Sequence, residues 1–336
     1  LLKNRLNVKL NVFQSWTDNL LTLKELDFIT GLESNWSNGG SLENKGFDVS
    51  VNGHIIATKN WNWELGASVG HYKNKLTALP DGKEYMDTEI YGGTIRSQIG
   101  QPVNLFYGYK TATTNSGTRV YATSEEAAAD GLYILAENGI DRIPFEAGDV
   151  KFVDVDGNKE IDKENDMQVI GDPNPDIYGN IFTSLSYKRL RLDVNFNYSL
   201  GNDVYNYVRS QLESGSRFFN QTTAMGNRWQ YEGQVTDMPK VTWADPHGNA
   251  RFSDRWIEDG SYLRLKTVTL SYNLPINNTY IHGLTFWAQA NNLFTLTKYL
   301  GADPEFSLGN GVLEQGIDRG LLANSRNFMV GIKINL

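Results

Sequence analysis

Residues 188–200 read KRLRLDVNFNYSL. Leu190, Leu192, Val194, Phe196, Tyr198 and Leu200 fall on one face of an extended chain. Arg189, Arg191, Asp193, Asn195, Asn197 and Ser199 fall on the other. A period of two is the signature of a strand, because successive side chains of extended backbone point to opposite sides. The run is long, where strands of globular proteins average about five or six residues. The pair Lys188–Arg189 leaves room for a tight reversal from the alternating segment before it.

The same pattern recurs along the chain. Leu6, Val8, Leu10 and Val12 oppose Arg5, Asn7, Lys9 and Asn11, and Trp61, Trp63, Leu65, Ala67 and Val69 oppose Asn62, Glu64, Gly66, Ser68 and Gly70. At the end of the chain, Phe328, Val330, Ile332, Ile334 and Leu336 alternate with Asn327, Met329, Gly331, Lys333 and Asn335. The alternation predicts eight strands, over 3–16, 44–56, 61–75, 178–188, 190–200, 261–274, 284–294 and 326–336. Their connections alternate in length. The short ones are Ala57–Asn60, Lys188–Arg189 and Pro275–Gly283, and the long ones are Thr17–Glu43, Leu76–Ile177, Gly201–Gly260 and Thr295–Ser325. If the last strand runs inward, every short link lies on one side of a membrane and every long link on the other.

That is the pattern of an outer-membrane β-barrel, with short periplasmic turns and long outer loops. The fold class expected is therefore all-β, a transmembrane antiparallel barrel. Trp and Tyr near the strand ends fit interfacial girdles. Such a barrel must leave no strand edge open to lipid, so the last strand is expected to close the wall. The span 77–177 has room for two more strands, one of them around Val103–Thr111, or for none. In NDVYNYVRSQLE, from residue 202, Val204, Val208 and Leu212 are spaced by four, which predicts a short helix over Asp203–Leu212.

Composition narrows the function. The chain has 336 residues, 31 Lys+Arg against 39 Asp+Glu, and no cysteine. The acidic balance argues against nucleic acid, and the missing thiols exclude disulfides and thiol catalysis. His54, His71, His247 and His282 are scattered without metal spacing, and no Ser/His/Asp set or phosphate loop stands out. No enzymatic activity is expected. The opening LLKNRLNVKLNVFQSW starts in mid-pattern, as a segment of something longer would.

Several stretches then carry a family resemblance. SLENKGFDVSV, GDVKFVDVDGNKEID, VIGDPNPDIYGN, DRWIEDGSYLRLKTVTLSYNLP, NNLFTLTKYLGADPE and NSRNFMVGIKINL follow one another in order. Together they resemble the C-terminal part of SusC/RagA-family TonB-dependent transporters of Bacteroidota. The resemblance implies an outer-membrane importer of large nutrients, glycans or oligopeptides, with a barrel of roughly 22 strands. Residues 1–336 would form the later part of that barrel, with the plug domain and the TonB-contacting segment outside them. It implies a SusD-like surface lipoprotein and TonB as partners, besides the lipid of the outer membrane. The competing readings are a passive porin, an outer-membrane barrel enzyme and a soluble β-sandwich.

Two sets of residues are candidates for chemistry. DVDGNKEIDKEND, residues 154–166, spaces carboxylates like a calcium loop. Asp154, Asp156 and Asn158 would be side-chain ligands, Glu160 a carbonyl donor and Asp162 a further oxygen. Lys159 stands where such a loop wants glycine, and the closing acid falls late, at Asp166. The plainer reading is a solvated acidic loop turning at Asp156–Gly157. The second set is the loop aromatics, Tyr107, Tyr109, Phe218, Phe219, Trp229 and Trp243, whose flat rings suit a cargo or a partner.

Overall fold

A computed structural model of the chain describes residues 5–26, 28–31, 34–276, 280–306 and 311–335. The predicted start of the first strand at 3–4, and Leu336, lie outside them. All eight predicted strands form, as Leu6–Glu25, Ser34–Ala57, Trp61–Ala78, Ile177–Tyr187, Leu190–Leu200, Tyr262–Leu274, Gly283–Thr297 and Asn327–Asn335. They make one eight-stranded antiparallel sheet, each paired with its predecessor in this order. We call this sheet the wall.

The register carries the apolar face across the wall unbroken. One row runs Val8, Val51, Ala67, Ile181, Phe196, Leu265 and Phe294. Near the short turns a second row runs Trp61, Tyr187, Leu190, Tyr272 and Phe286, an aromatic band at the level of a membrane interface. The opposite face is a polar ladder. Ser68 donates to Asn180 at 2.7 Å, Asn52 to Glu64 at 2.7 Å and Gln289 to Asn291 at 3.0 Å. Two glycines on this face take rings across the sheet. A Cβ on Gly66 would stand 2.2 Å from the Phe182 ring, and one on Gly70 2.8 Å from the Tyr178 ring. Only glycine lets these rings lie along the backbone rather than project from it.

Two expectations are corrected, the first link and the helix, and the open alternative for 77–177 is decided. The link Thr17–Glu43 is no long loop, because the first two strands run on to Glu25 and from Ser34 as a tall hairpin. The pairing slips between Thr17 and Leu20, where Asn19 has φ 56°, and this bulge hides the continuation from a period-two reading. The span 77–177 adds no strand to the wall: Leu105–Tyr109 belongs to a separate four-stranded sheet with Tyr85–Ile90, Gly93–Gln98 and Met167–Gly171. The helix expected over Asp203–Leu212 is a strand, Asp203–Asn206, followed by a shorter helix, Tyr207–Leu212. That strand pairs antiparallel with Ile257–Asp259 and parallel with Ile317–Asp318, and these partners take the backbone bonds a first helical turn would have used. Among the described residues the first and last wall strands are the sheet's two edges and do not pair with each other.

Candidate functional site: the outer cap

The fully buried large side chains are not in the wall. Trp256, Tyr121, Phe106, Phe152, Ile95 and Ile317 all lie in the long loops. The wall spends its apolar residues on the surface, and the loops must therefore build their own interior. One core gathers Val120, Tyr121, Phe145, Val150, Phe152 and Ile161 from the first loop. A second joins all three loops: Ile95 and Phe106 from the first, Tyr205 and Trp256 from the second, Ile317 from the third. The loops are one folded cap.

Polar staples fix the cap internally and to the wall. Asp149 is fully buried, and its carboxylate accepts from Asn249 Nδ2 at 2.7 Å and the Glu146 amide at 2.8 Å. Asn249 Oδ1 in turn accepts from the Val150 amide at 2.7 Å, so the second loop closes on the first. At the wall, Arg264 is buried on the polar face and is paired with Asp303 and, at 2.9 Å, with Glu305 of the third loop. Asp303 also accepts from the amides of Glu305 and Asn324, each at 2.8 Å. Burial works to raise its pKa, but Arg264 and those amides outweigh it and hold the carboxyl below its ordinary value.

A cavity of about 690 Å³ opens in the cap, lined by Arg217, Phe218, Phe219, Trp243, Asp245 and Arg251 among others. Phe218 and Trp243 stack at 4.6 Å between centroids, tilted by 30°. Their support is rigid. Asp245 accepts from the amides of Asn249 and Ala250, at 2.8 and 2.7 Å. The Arg251 guanidinium lies 4.7 Å from the ring centroids of both Tyr109 and Phe152.

The acidic loop is ordered by its own backbone. Asp154 accepts from the amides of Gly157 at 2.7 Å and Lys159 at 3.0 Å, and Asp166 from those of Val155 at 2.7 Å and Asp162 at 2.9 Å. Lys159 holds φ 74°, the left-handed conformation glycine favours, at the position the sequence marked as tight. Carboxylate oxygens of Asp154, Asp156 and Asp166 lie within 4.8 Å of one another and can hold a hard cation. Burial, followed by repulsion from Asp162 and Asp154, outweighs the amide bonds and raises the Asp166 pKa. The set of three differs from the sequence expectation: the late acid Asp166 is the one that folds back, whereas Asp162 caps the amide of Asn165 at 2.7 Å and Asn158 that of Glu160 at 2.6 Å.

No family model matches the chain. The sequence is 30% identical over 99% of its length to TonB-dependent receptor P3 of Formosa agariphila, of which it covers 33%. It is 28% identical over 95% of its length to TonB-dependent receptor SusC of Bacteroides thetaiotaomicron, covering 29% of that protein. The fold matches the RagAB peptide importer in its closed-closed state with a TM-score of 0.75 at 25% identity, over 98% of this chain and 33% of that one. The chain is homologous throughout to TonB-dependent receptors of the SusC/RagA type. It spans about a third of the length of the relatives it matches. The homology assigns the wall to the bacterial outer membrane, and the relatives it rests on are named as receptors and a peptide importer.

The cap stands at the end of the wall opposite the short turns. The six aromatics expected at its contacts divide into two groups. Tyr107 lies under the Arg96 guanidinium at 3.4 Å, Tyr109 packs edge-on against Phe152 at 5.8 Å, and Trp229 closes the first core while donating to the Ala122 carbonyl at 3.1 Å. Phe218, Phe219 and Trp243 remain open, at 91%, 56% and 63% exposure. Sequence reasoning passed over His247, which the fold brings to Asp149 and Glu146 across two loops. Its only signal was a polar turn, Asp245–Asn249, in a segment that ends buried.

Proposed function

We propose that the chain forms the later part of the wall, and the outer cap, of an active importer of glycans or oligopeptides. TonB energises uptake through a plug, and a SusD-like surface lipoprotein covers the cap. Phe218, Phe219 and Trp243 are the contact residues for cargo or for the lid. The observation that carries this reading is that these three exposed rings gather around one cavity of the cap. Large rings left in water on a rigid support are what a docking surface needs. The double variant Phe218→Ala/Trp243→Ala should lower lipoprotein co-purification in mild detergent, or substrate uptake, at least tenfold with insertion unchanged. Uptake that persists after TonB depletion would replace the importer with a passive porin.

The acidic loop is proposed to take calcium through Asp154, Asp156 and Asp166, with the Glu160 carbonyl, Asn158 and Asp162 as the expected further donors. Calcium titration of the wild type and of Asp154→Asn tests it. Binding that the substitution does not weaken refers the ion elsewhere.

A further inference from the structure

We propose that the cap carries a transition-metal site, separate from the acidic loop, in which His247, Asp149 and Glu146 hold an ion of the zinc class. A ring nitrogen of His247 and one carboxylate oxygen each from Asp149 and Glu146 lie within 4.8 Å of one another. Two of the three ligands are interior, His247 at 8% exposure and Asp149 at 0%, and Glu146 reaches them from the exposed side. His247 Nδ1 points at Asp149 Oδ2 from 3.4 Å yet has no hydrogen-bond partner. A buried ring nitrogen facing an oxygen at that distance, but out of line for a shared proton, is the arrangement of two ligands on one ion. Metal bonds of about 2.1 Å set at tetrahedral angles separate their ligands by about 3.4 Å.

The surroundings are those of oriented ligands. Asp149 is fixed by Asn249 at 2.7 Å and by the Glu146 amide at 2.8 Å, and Phe145 packs near the His247 ring at 6.1 Å between centroids. Lys240 Nζ stands 3.1 Å from Glu146 Oε2 and 3.2 Å from Asp149 Oδ2, so a cation already occupies the point where the carboxylates converge. The ammonium leaves the imidazole nitrogen unused. A divalent ion can use it, and it brings twice the charge to the two carboxylates. The Lys240 side chain is 17% exposed and on a flexible stem, so it can leave toward solvent. One imidazole with two carboxylates suits zinc or manganese better than calcium, which prefers oxygen alone. The ion would clamp the loop 240–251 to the first loop, and that loop carries Trp243, Asp245 and Arg251 of the aromatic cavity.

The test is calorimetric titration of the protein, purified in detergent without a histidine tag, with zinc chloride alone. One saturable ion is expected at this site, with affinity falling at least tenfold in His247→Gln, which preserves packing, and in Asp149→Asn. Lys240→Met, which removes the competing ammonium, should bind at least threefold more tightly than the wild type. Near-ultraviolet circular dichroism of the metal-free variants should match the wild type; a variant that fails this check is replaced by His247→Asn, read by the same criterion. Absence of saturable binding, binding that His247→Gln leaves unchanged, or binding by Lys240→Met alone would each overturn the proposal.

Discussion

Replacing Phe196 with arginine tests the membrane wall most directly. Phe196 lies six residues beyond Leu190 in the strand Leu190–Leu200. Leu190 belongs to the row of Trp61, Tyr187, Tyr272 and Phe286 beside the short turns, at the level of one membrane interface. Six residues at about 3.4 Å each, tilted by about 40°, climb about 15 Å, near the middle of an apolar band about 25 Å tall. A charge at that depth on the lipid face costs about 2–4 kcal/mol. The ring also packs edge-on against Phe294 at 6.4 Å, and losing an aromatic pair adds about 0.5–1.5 kcal/mol. Phe196→Arg is therefore expected to lower the unfolding free energy by about 3–5 kcal/mol. The control is Asn195→Arg, one residue away on the polar face, which should cost less than about 1 kcal/mol. Urea titration of folding into phospholipid vesicles, followed by tryptophan fluorescence, measures both. Equal costs, or a cost below about 1 kcal/mol for Phe196→Arg, would refute the assignment of faces.

Three further outcomes are expected. Gly66→Ala places a Cβ 2.2 Å from Phe182, whereas Gly226 has nothing within 4 Å; the first should destabilise by about 1–3 kcal/mol and the second hardly at all, and equal melting shifts would remove the ring-over-glycine packing from the account. Asn249→Ala leaves Asp149 and the Val150 amide without their buried partner, at about 2–4 kcal/mol. Faster hydrogen exchange should then appear at 145–152 with the wall strands unaffected, and uniform loosening would show that cap and wall unfold as one. Asp303, its pKa held down by Arg264 and the amides, contributes stability that is complete above about pH 4 and is lost as pH falls through the lower folded value. Exchange at residues 299–305, corrected for intrinsic rates, should thus rise between pH 6 and pH 3, and Asp303→Asn should reproduce the acid behaviour at pH 6. Protection unchanged by either would show that the carboxylate does not anchor the third loop.

The wall was legible because lipid imposes a strict code. Leu190 to Leu200 must present alternate side chains to hydrocarbon, and nothing in the tertiary structure can override that. Beyond the membrane the code lapses. The hairpin past Trp16 escaped notice because a bulge at Asn19 breaks the count. In Gly93–Gln98 most residues are buried on both faces, so no alternation marks the strand. The segment Asp203–Leu212 read as a helix because its spacing by four is real. Half of it became a strand because Ile257–Asp259 and Ile317–Asp318, distant in sequence, supply the bonds. The site divides in the same way. Aromatic richness was visible, but Trp229 and Trp243 look alike in sequence, and only packing decides that one is core and the other surface. His247 has no neighbour in sequence to mark its meeting with Asp149.

The shared core of Ile95, Phe106, Tyr205, Trp256 and Ile317 constrains how such a protein can diverge. Loops on a barrel rim are usually free to drift singly, each gaining or losing residues without reference to the next. Here a volume change at Ile95 must be absorbed by Tyr205 or Ile317, which belong to other loops. Independent variation is therefore confined to residues outside that core, such as the exposed Phe218, Phe219 and Trp243, or must arrive by exchange of all three loops together. A graft of one loop from a relative would bring a third of an interior and fit no other part, whereas the whole cap transplants as a unit.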